Sequence, residues 1–233
     1  MKKIGLIGGT SWHSTIVYYR MINELVGEKR GTWGNPPLLI YSLNIELMRE
    51  QNKEKINTAY LDIAKKLESI GAEALVICAN TPHMVFDYVQ PKIGIPILHI
   101  ADAVGVKATN NKIKKLGLLG NRPTMTRGFM QEYLNTNFGI ETIIPDPEYI
   151  DKCHFYISHE LTQGKFTDES KSFFKEQMEL LKTKGAEGII LGCTELPLLL
   201  DQNDFELPLF STTQLHAEMA VQFILEDNPS SAG

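Results

Sequence analysis

The sequence has few cysteines, no long apolar run and no dense cluster of positive charge. Its apolar runs are shorter than the roughly 18 to 20 residues of a membrane-spanning helix, so we expect no membrane as a partner. Three cysteines in 233 residues, an odd number, argue against a disulfide framework and favour reduced thiols in a cytoplasmic protein. The net charge of −5 and the dispersed Lys and Arg residues argue against nucleic acid as a partner.

Two ligand-binding patterns are absent as well. The glycine-rich turn after the first predicted strand, residues 5–10, lacks the Gly-x-Gly-x-x-Gly spacing of a nucleotide-binding oxidoreductase. The second predicted strand runs into Ser42-Leu43-Asn44 and not into the acidic residue that such a site requires. The six histidines share no ligand spacing with cysteines or carboxylates, so we predict no metal site.

What the sequence does contain is a regular alternation of short apolar runs and longer amphipathic segments. The runs are apolar throughout, which is typical of parallel strands covered on both faces. The predicted strands are residues 4–8, 38–42, 74–78, 97–100, 115–119, 141–144, 188–192 and 209–211. The predicted helical segments are residues 14–26, 53–70, 126–137, 151–161, 168–184 and 213–225. This order predicts a doubly wound α/β architecture, followed by a tail from Glu226 without regular structure.

An internal repeat divides the chain into two similar halves. Three pairs of blocks match in the same order: residues 4–9 with 116–121, 71–77 with 185–191, and 95–98 with 207–210. Their offsets are 112, 114 and 112, whereas a chance likeness between βα units would give scattered offsets. We therefore predict two pseudo-symmetric doubly wound parallel-sheet domains, residues 1–105 plus 210–233 and residues 106–209, with the active site between them.

Polar residues follow the second matched block in both halves. The first half continues as Cys78-Ala79-Asn80-Thr81-Pro82-His83 and the second as Gly192-Cys193-Thr194-Glu195-Leu196-Pro197. At a strand-to-helix turn, backbone N–H groups and small hydroxyl side chains can hold a carboxylate. Cys193 is interpreted as a partly exposed thiol whose thiolate is favoured by a nearby helix N-terminus, the alternative being a buried, inert thiol.

These residues resemble the aspartate/glutamate racemase superfamily. The likeness rests on Gly8-Gly9-Thr10, Asn80-Thr81-Pro82-His83 and Gly192-Cys193-Thr194-Glu195, with Gly120, Thr124-Met125 and Gly164-Lys165 in support. The resemblance implies a racemase of aspartate or glutamate that uses no pyridoxal phosphate or other cofactor. It also implies two thiols on opposite faces of the amino acid, since inversion needs an acid and a base on both sides of one carbon.

The sequence departs from this pattern at one catalytic position. The family's first thiol falls on Ala79, which cannot transfer a proton, and the adjacent Cys78 should point to the opposite face of its strand. Three possibilities stay open. The chain is a one-sided enzyme using Cys193 with water or His83 on the other face, a slow racemase, or an amino-acid-binding protein without catalysis.

The remaining site candidates follow from the resemblance. Those for the α-carboxylate are Thr10, Asn80, Thr81 and Thr194, and Thr124 is a further substrate-binding candidate. Glu195 resembles the contact to the substrate amine, with a helix-stabilising charge as the alternative, and His83 is either a proton carrier or a helix-start residue. Lys165 and Arg49 are candidates for a substrate side-chain carboxylate, although most such cations are solvated surface groups. The family also implies a homodimer.

Overall fold

The computed structural model describes residues 1–31 and 33–226. Of the tail predicted from Glu226, only Glu226 itself is among the described residues. Within these residues the strands are β1 (Ile4–Gly8), β2 (Leu38–Ser42), β3 (Ala74–Ile77), β4 (Ile97–Leu98), β5 (Lys115–Leu119), β6 (Glu141–Ile143), β7 (Ile189–Leu191) and β8 (Leu209–Ser211). All lie where the apolar runs predict them. Four agree at both ends, and the others end one or two residues earlier or start one later.

The described helices are α1 (Trp12–Arg30), α2 (Glu46–Arg49), α3 (Lys53–Ser69), α4 (Phe86–Val89), α5 (Ile100–Asn110), α6 (Arg122–Thr126), α7 (Phe129–Phe138), α8 (Pro147–Phe155), α9 (Asp168–Thr183), α10 (Leu196–Leu199) and α11 (Thr212–Leu225). The prediction of a strand as far as Ile100 was wrong, because that residue begins α5, a helix that the sequence pattern missed. None of the helices in the described ranges is both long and apolar enough to cross a membrane.

The chain forms two compact units, residues 1–100 with the segment from His216, and residues 101–215. The first contains a parallel sheet in the order β2-β1-β3-β4. Alternate strand residues pack on opposite faces: Leu75 and Ile77 lie in a core with α3, whereas Val76 and Cys78 lie in a core with α1 and α11. Helices therefore cover both faces, as the continuous apolar strands predict.

The second unit contains a parallel sheet in the order β6-β5-β7-β8. Its central strands are buried, and α9 packs so closely on β5 that a Cβ added at Gly117 would lie 3.0 Å from the Leu181 side chain. In the first unit a Cβ added at Gly5 would lie 3.1 Å from the Leu67 side chain of α3. The predicted α/β fold with two parallel sheets is confirmed.

The internal repeat extends to individual hydrogen bonds. The amide of Glu73 donates to the Lys3 carbonyl over 2.7 Å, and that of Glu187 donates to the Lys115 carbonyl over 2.8 Å. At the other end of the strands, the amide of Cys78 donates to Ile7 and that of Gly192 to Leu119. Both pairs follow the offsets read from the sequence, so matched positions in the two units have the same backbone role.

Candidate active site

In each unit the candidate residues follow the carboxyl ends of two adjacent strands. Thr10 follows β1, and Ala79, Asn80 and Thr81 follow β3, the neighbour of β1 in the first sheet. In the second sheet, β7 is the neighbour of β5 and is followed by Cys193, Thr194 and Glu195. The carboxyl ends of parallel strands are the usual place for ligands in open α/β sheets.

The turn after β1 is fixed by its backbone. Gly9 has a φ of 89°, a left-handed conformation that favours glycine. Its N–H donates to the Thr15 hydroxyl over 3.0 Å, and the Leu43 amide donates to the Gly8 carbonyl over 3.0 Å. A Cβ at Gly9 would lie 2.1 Å from the Leu43 carbonyl oxygen, so the turn has no room for a side chain.

Thr10, the next residue, is tied to a buried tyrosine. Its Oγ1 lies 2.9 Å from the hydroxyl of Tyr60, which projects from α3 and is only 1 % exposed. Burial raises the pKa of Tyr60, so the phenol keeps its proton at physiological pH. Thr10 itself is partly exposed.

His83 lies in a 3₁₀ turn, Thr81–Val85, directly after the predicted carboxylate site. It is buried, and its Nδ1 is 2.9 Å from the Ala79 carbonyl and 3.2 Å from that of Asn80. Since both partners are acceptors, Nδ1 carries the proton and donates it. Burial lowers the pKa of His83 to about 4 and backbone carbonyls offset this only in part, so the ring is neutral at pH 7.

Two more buried histidines surround His83. Its ring centroid lies 4.8 Å from that of His99 and 5.4 Å from that of His216, both in edge-on arrangements. His216 accepts a hydrogen bond from the Tyr18 hydroxyl at Nδ1 and donates from Nε2 to the Leu98 carbonyl over 2.7 Å. Burial lowers the pKa of His216 to about 3 and that of His99 to about 2. The first unit thus contains three packed, neutral imidazoles, which we call the histidine cluster.

The second unit brings together the three residues after β7. The Cys193 thiol donates to Glu195 Oε2 over 2.8 Å, and the Thr194 hydroxyl donates to the same oxygen over 2.7 Å. Glu195 is buried, whereas Cys193 and Thr194 are partly exposed. The Thr194 hydroxyl proton, predicted to serve the substrate carboxylate, is therefore directed to Glu195 in this structure.

The predicted preference for a thiolate at Cys193 was wrong. Burial is the largest effect and raises the pKa of the Cys193 thiol well above its ordinary value, and the adjacent Glu195 carboxylate raises it further. The backbone amides of Thr194 and Glu195 stabilise the thiolate but do not outweigh these two effects. Cys193 is therefore a protonated thiol with a carboxylate as its hydrogen-bond acceptor.

The other two cysteines are core residues. Cys78 is 1 % exposed and packs among the residues between the sheet and α1. The sequence predicted this, because Cys78 should point to the face of the strand opposite to Ala79. Cys153 on α8 is buried, and burial raises its pKa to about 12. Neither thiol is placed to substitute for the one missing at Ala79.

Three remaining candidates differ in exposure. Thr124 is fully buried, and its methyl group would contact a Cβ added at Gly192, so it packs beneath the turn that follows β7. Arg49 on α2 and Lys165 after the 161–163 turn are exposed. Neither cation forms an ion pair with any residue in ranges 1–31 and 33–226, so both are available to an anion. No group of His, Cys, Asp or Glu suited to a metal ion occurs in those ranges.

Tyr60, His99 and His216 were not among the candidates from the sequence. Tyr60 occupies a regular apolar position of α3, and the two histidines stand outside the matched blocks. A signal for Tyr60 exists in the repeat, because its counterpart at an offset of 114 is Phe174, an aromatic residue without a hydroxyl.

Known proteins resemble the chain over nearly its full length. The model of the Asp/Glu/hydantoin racemase family matches residues 7–220. A crystal structure of a candidate Asp/Glu racemase from Yersinia pestis is 39 % identical, covers 97 % of this chain and 100 % of that one, and has a TM-score of 0.92. PH1733, an aspartate racemase homologue from Pyrococcus horikoshii OT3, is 35 % identical with the same coverage and a TM-score of 0.87. The broad specificity amino-acid racemase RacX of Bacillus subtilis is 24 % identical over 95 % of this chain and 98 % of its own length.

The family model and the relatives define the class of protein as an isomerase of the amino-acid racemase type. The chain belongs to the Asp/Glu/hydantoin racemase family. The family predicted from the three sequence motifs is therefore confirmed.

Proposed function

We propose that this protein exchanges the α-proton of an acidic amino acid, aspartate or glutamate, and inverts the configuration at its α-carbon, with Cys193 as acid and base. The observation that carries the proposal is the hydrogen bond from the Cys193 thiol to Glu195, 2.8 Å long, at the end of β7. A thiol that transfers a proton must first lose its own, and Glu195 is the acceptor in contact with it. Family membership supports the reaction class.

The proton balance of such a step is simple. The Cα–H bond breaks, its proton moves to Cys193 Sγ, and the proton formerly on Sγ moves to Glu195 Oε2. The electron pair stays on the substrate carbon and is delocalised into its carboxylate, for which Thr10, Asn80 and Thr81 are the proposed donors. Reversal of both transfers returns a proton to the same face, with exchange against solvent during the lifetime of the carbanion. Inversion requires a water molecule to protonate the carbanion from the opposite face, because Ala79 carries no acid.

The preference for an acidic substrate rests on Lys165, which the family resemblance suggests for a side-chain carboxylate, and on Arg49 as a second candidate. Arg49 and Lys165 are exposed, and each is the type of group that binds a side-chain carboxylate. Bidentate binding by arginine is the stronger of the two contacts in general. We propose both as substrate-binding residues.

A second candidate function is favoured by Ala79. Because no proton carrier occupies that position, the alternative is a protein of the same family that binds an amino acid without turning it over. The two functions differ in one measurable respect. A protein with one working thiol exchanges the α-proton, whereas a pure binding protein leaves it in place.

The test is α-proton exchange in D₂O, followed by NMR with L- and D-aspartate and with L- and D-glutamate. The Cys193→Ala variant should lose exchange, since the thiol is the proposed acceptor of the α-proton. Cys153→Ala, which removes a buried thiol in the same unit, is the matched control and should keep it. Binding of these amino acids without exchange would overturn the enzymatic proposal and support the binding protein.

A further inference from the structure

We propose that Tyr60 is a positioning residue that orients the Thr10 hydroxyl toward the carboxylate of the substrate. The proposal rests on the proposed function, in which Thr10 is a carboxylate donor. Tyr60 lies on the buried face of α3, and its hydroxyl reaches Thr10 Oγ1 over 2.9 Å. No other residue of the described ranges bonds to that phenol.

The direction of this hydrogen bond follows from the supply of acceptors. Both hydroxyl groups have one proton to donate and can accept. If Thr10 donated to Tyr60, the phenol proton would be buried without an acceptor, which is unfavourable. If Tyr60 donates to Thr10, the phenol is satisfied and the Thr10 proton is left for a ligand. Tyr60 is therefore the donor, and the Thr10 hydroxyl keeps its own proton to donate to the substrate carboxylate.

The second unit provides an internal comparison. The buried residues of α3, Ile56, Tyr60, Ile63, Ala64 and Leu67, correspond at an offset of 114 to Ser170, Phe174, Gln177, Met178 and Leu181 of α9, and all ten are buried. Phe174 fills the position of Tyr60 without a hydroxyl. Packing of a helix on the sheet at this position thus needs only the aromatic ring. The hydroxyl of Tyr60 serves something particular to the first unit, and its one contact is Thr10.

The turn backbone is held independently of Tyr60. Gly9 is anchored by Thr15, and Gly8 by the Leu43 amide, so both anchors survive the loss of the phenol. Removing the Tyr60 hydroxyl should therefore free the Thr10 side chain without moving the turn. This separates a positioning role from a purely structural one.

The decisive variant is Tyr60→Phe, which copies the residue of the second unit. We expect the KM for aspartate or glutamate in α-proton exchange to rise about tenfold, with kcat changed less than twofold, because one hydrogen bond to a charged carboxylate is misdirected. Tyr156→Phe in the second unit loses a tyrosine hydroxyl bonded to Glu169 over 2.8 Å and should leave KM unchanged. An unchanged KM in Tyr60→Phe would overturn the proposal.

A double-variant cycle tests whether Tyr60 acts through Thr10. Thr10→Val alone should raise KM, and Tyr60→Phe added to it should raise KM no further, since the group to be oriented is already gone. Independent effects of the two substitutions, multiplying in the double variant, would show that Tyr60 acts by another route and would contradict the proposal.

A second readout does not depend on activity. Three-bond NMR couplings of Thr10 report whether its χ1 angle is fixed, and we expect one rotamer in the wild type and averaging in Tyr60→Phe. A fixed, unchanged rotamer in Tyr60→Phe would overturn the positioning role even if the protein is an active racemase. Absence of exchange in the wild type would instead overturn the proposed function, while the couplings would still decide the role of Tyr60.

Discussion

The two units share a backbone frame but differ at the positions where chemistry is expected. Strand ends are joined by equivalent hydrogen bonds, Cys78 to Ile7 in one unit and Gly192 to Leu119 in the other. Beyond those bonds the first unit has Ala79 where the second has Cys193. A repeated fold therefore fixes where side chains project, and the substitutions at those positions divide the work between the units.

The divergence follows a physical pattern. The second unit contains an ionisable pair at its strand end, the thiol of Cys193 and the carboxylate of Glu195. The first unit contains hydroxyl, amide and neutral imidazole groups, with Tyr60 supporting Thr10. In the proposed function the carboxylate donors come from the first unit and the proton carrier comes from the second. Four substitutions or conditions, taken from the largest expected effect to the smallest, test this comparison.

The turn after β1 should be the most sensitive point of the first unit. Gly9→Ala places a Cβ at a positive φ and against the Leu43 carbonyl, so we expect the free energy of unfolding to fall by about 3 kcal/mol or more. Denaturant unfolding measures it. Gly31→Ala is the matched control, because Gly31 has the same φ of 89° but open space around it. It should cost less, about 1 to 2 kcal/mol, and equal losses in the two variants would contradict the role assigned to Leu43.

The histidine cluster should make the first unit sensitive to acid. The folded pKa values of His83 and His216 are lowered to about 4 and about 3, below the unfolded value of 6.5. The unfolded chain therefore binds more protons than the folded chain below pH 6.5. The unfolding free energy should fall by about 1.4 kcal/mol for each histidine with every unit by which the pH is lowered, between pH 6 and the folded pKa.

Hydrogen exchange measured between pH 7 and pH 5 should show loss of protection in the first unit before the second. In His216→Leu the dependence of the unfolding free energy on pH should be weaker by one proton, whatever the stability at neutral pH. His159→Gln, at an exposed histidine of the second unit, is the control. The same pH dependence in His216→Leu and wild type would show that the cluster does not control acid stability.

Restoring a thiol to the first unit should sharpen the comparison. Ala79→Cys supplies an acid at the position where the sequence resemblance implies a first thiol, so the ratio of racemisation to α-proton exchange should rise about a hundredfold. Polarimetry gives the racemisation rate and NMR in D₂O gives the exchange rate. Ala79→Val is the control for side-chain size. An unchanged ratio in Ala79→Cys would mean that this position does not face the reacting carbon.

The smallest expected effect is on the acidity of Cys193. Glu195→Gln removes the carboxylate that raises the thiol pKa, so the pKa should fall, yet it should stay above the ordinary value because burial is the larger cause. Alkylation rate against pH measures it, and Glu206→Gln at an exposed site of the same unit is the control. A pKa unchanged by Glu195→Gln would contradict the coupling of the pair.

Much of the fold could be predicted from local patterns. Continuous apolar runs located the strands, since parallel strands covered on both faces must be apolar throughout. Helix α5 was missed because Gly105 and several β-branched residues give its sequence little helical preference. The glycine is explained by packing, as a Cβ there would lie 2.4 Å from the Phe138 ring.

The candidate site was predicted in part. The motifs located Cys193, Thr194 and Glu195 together after one strand, which the chain order alone ensures. The protonation state of the thiol was predicted wrongly, because it depends on burial and on the rotamer that directs Glu195 toward sulfur. Tyr60 was missed because it lies 50 residues from Thr10 and only the packing of α3 joins them.

The sequence by itself determined the repeat, the positions of the strands along the chain, and the absence of a thiol at residue 79, because these follow from residue type and spacing along the chain. Only the tertiary structure decided which hydroxyl Tyr60 meets, that three neutral histidines share one core, and that Cys193 keeps its proton. Hydrogen-bond direction and pKa depend on burial and on neighbours distant in sequence, which folding alone brings within a few ångströms.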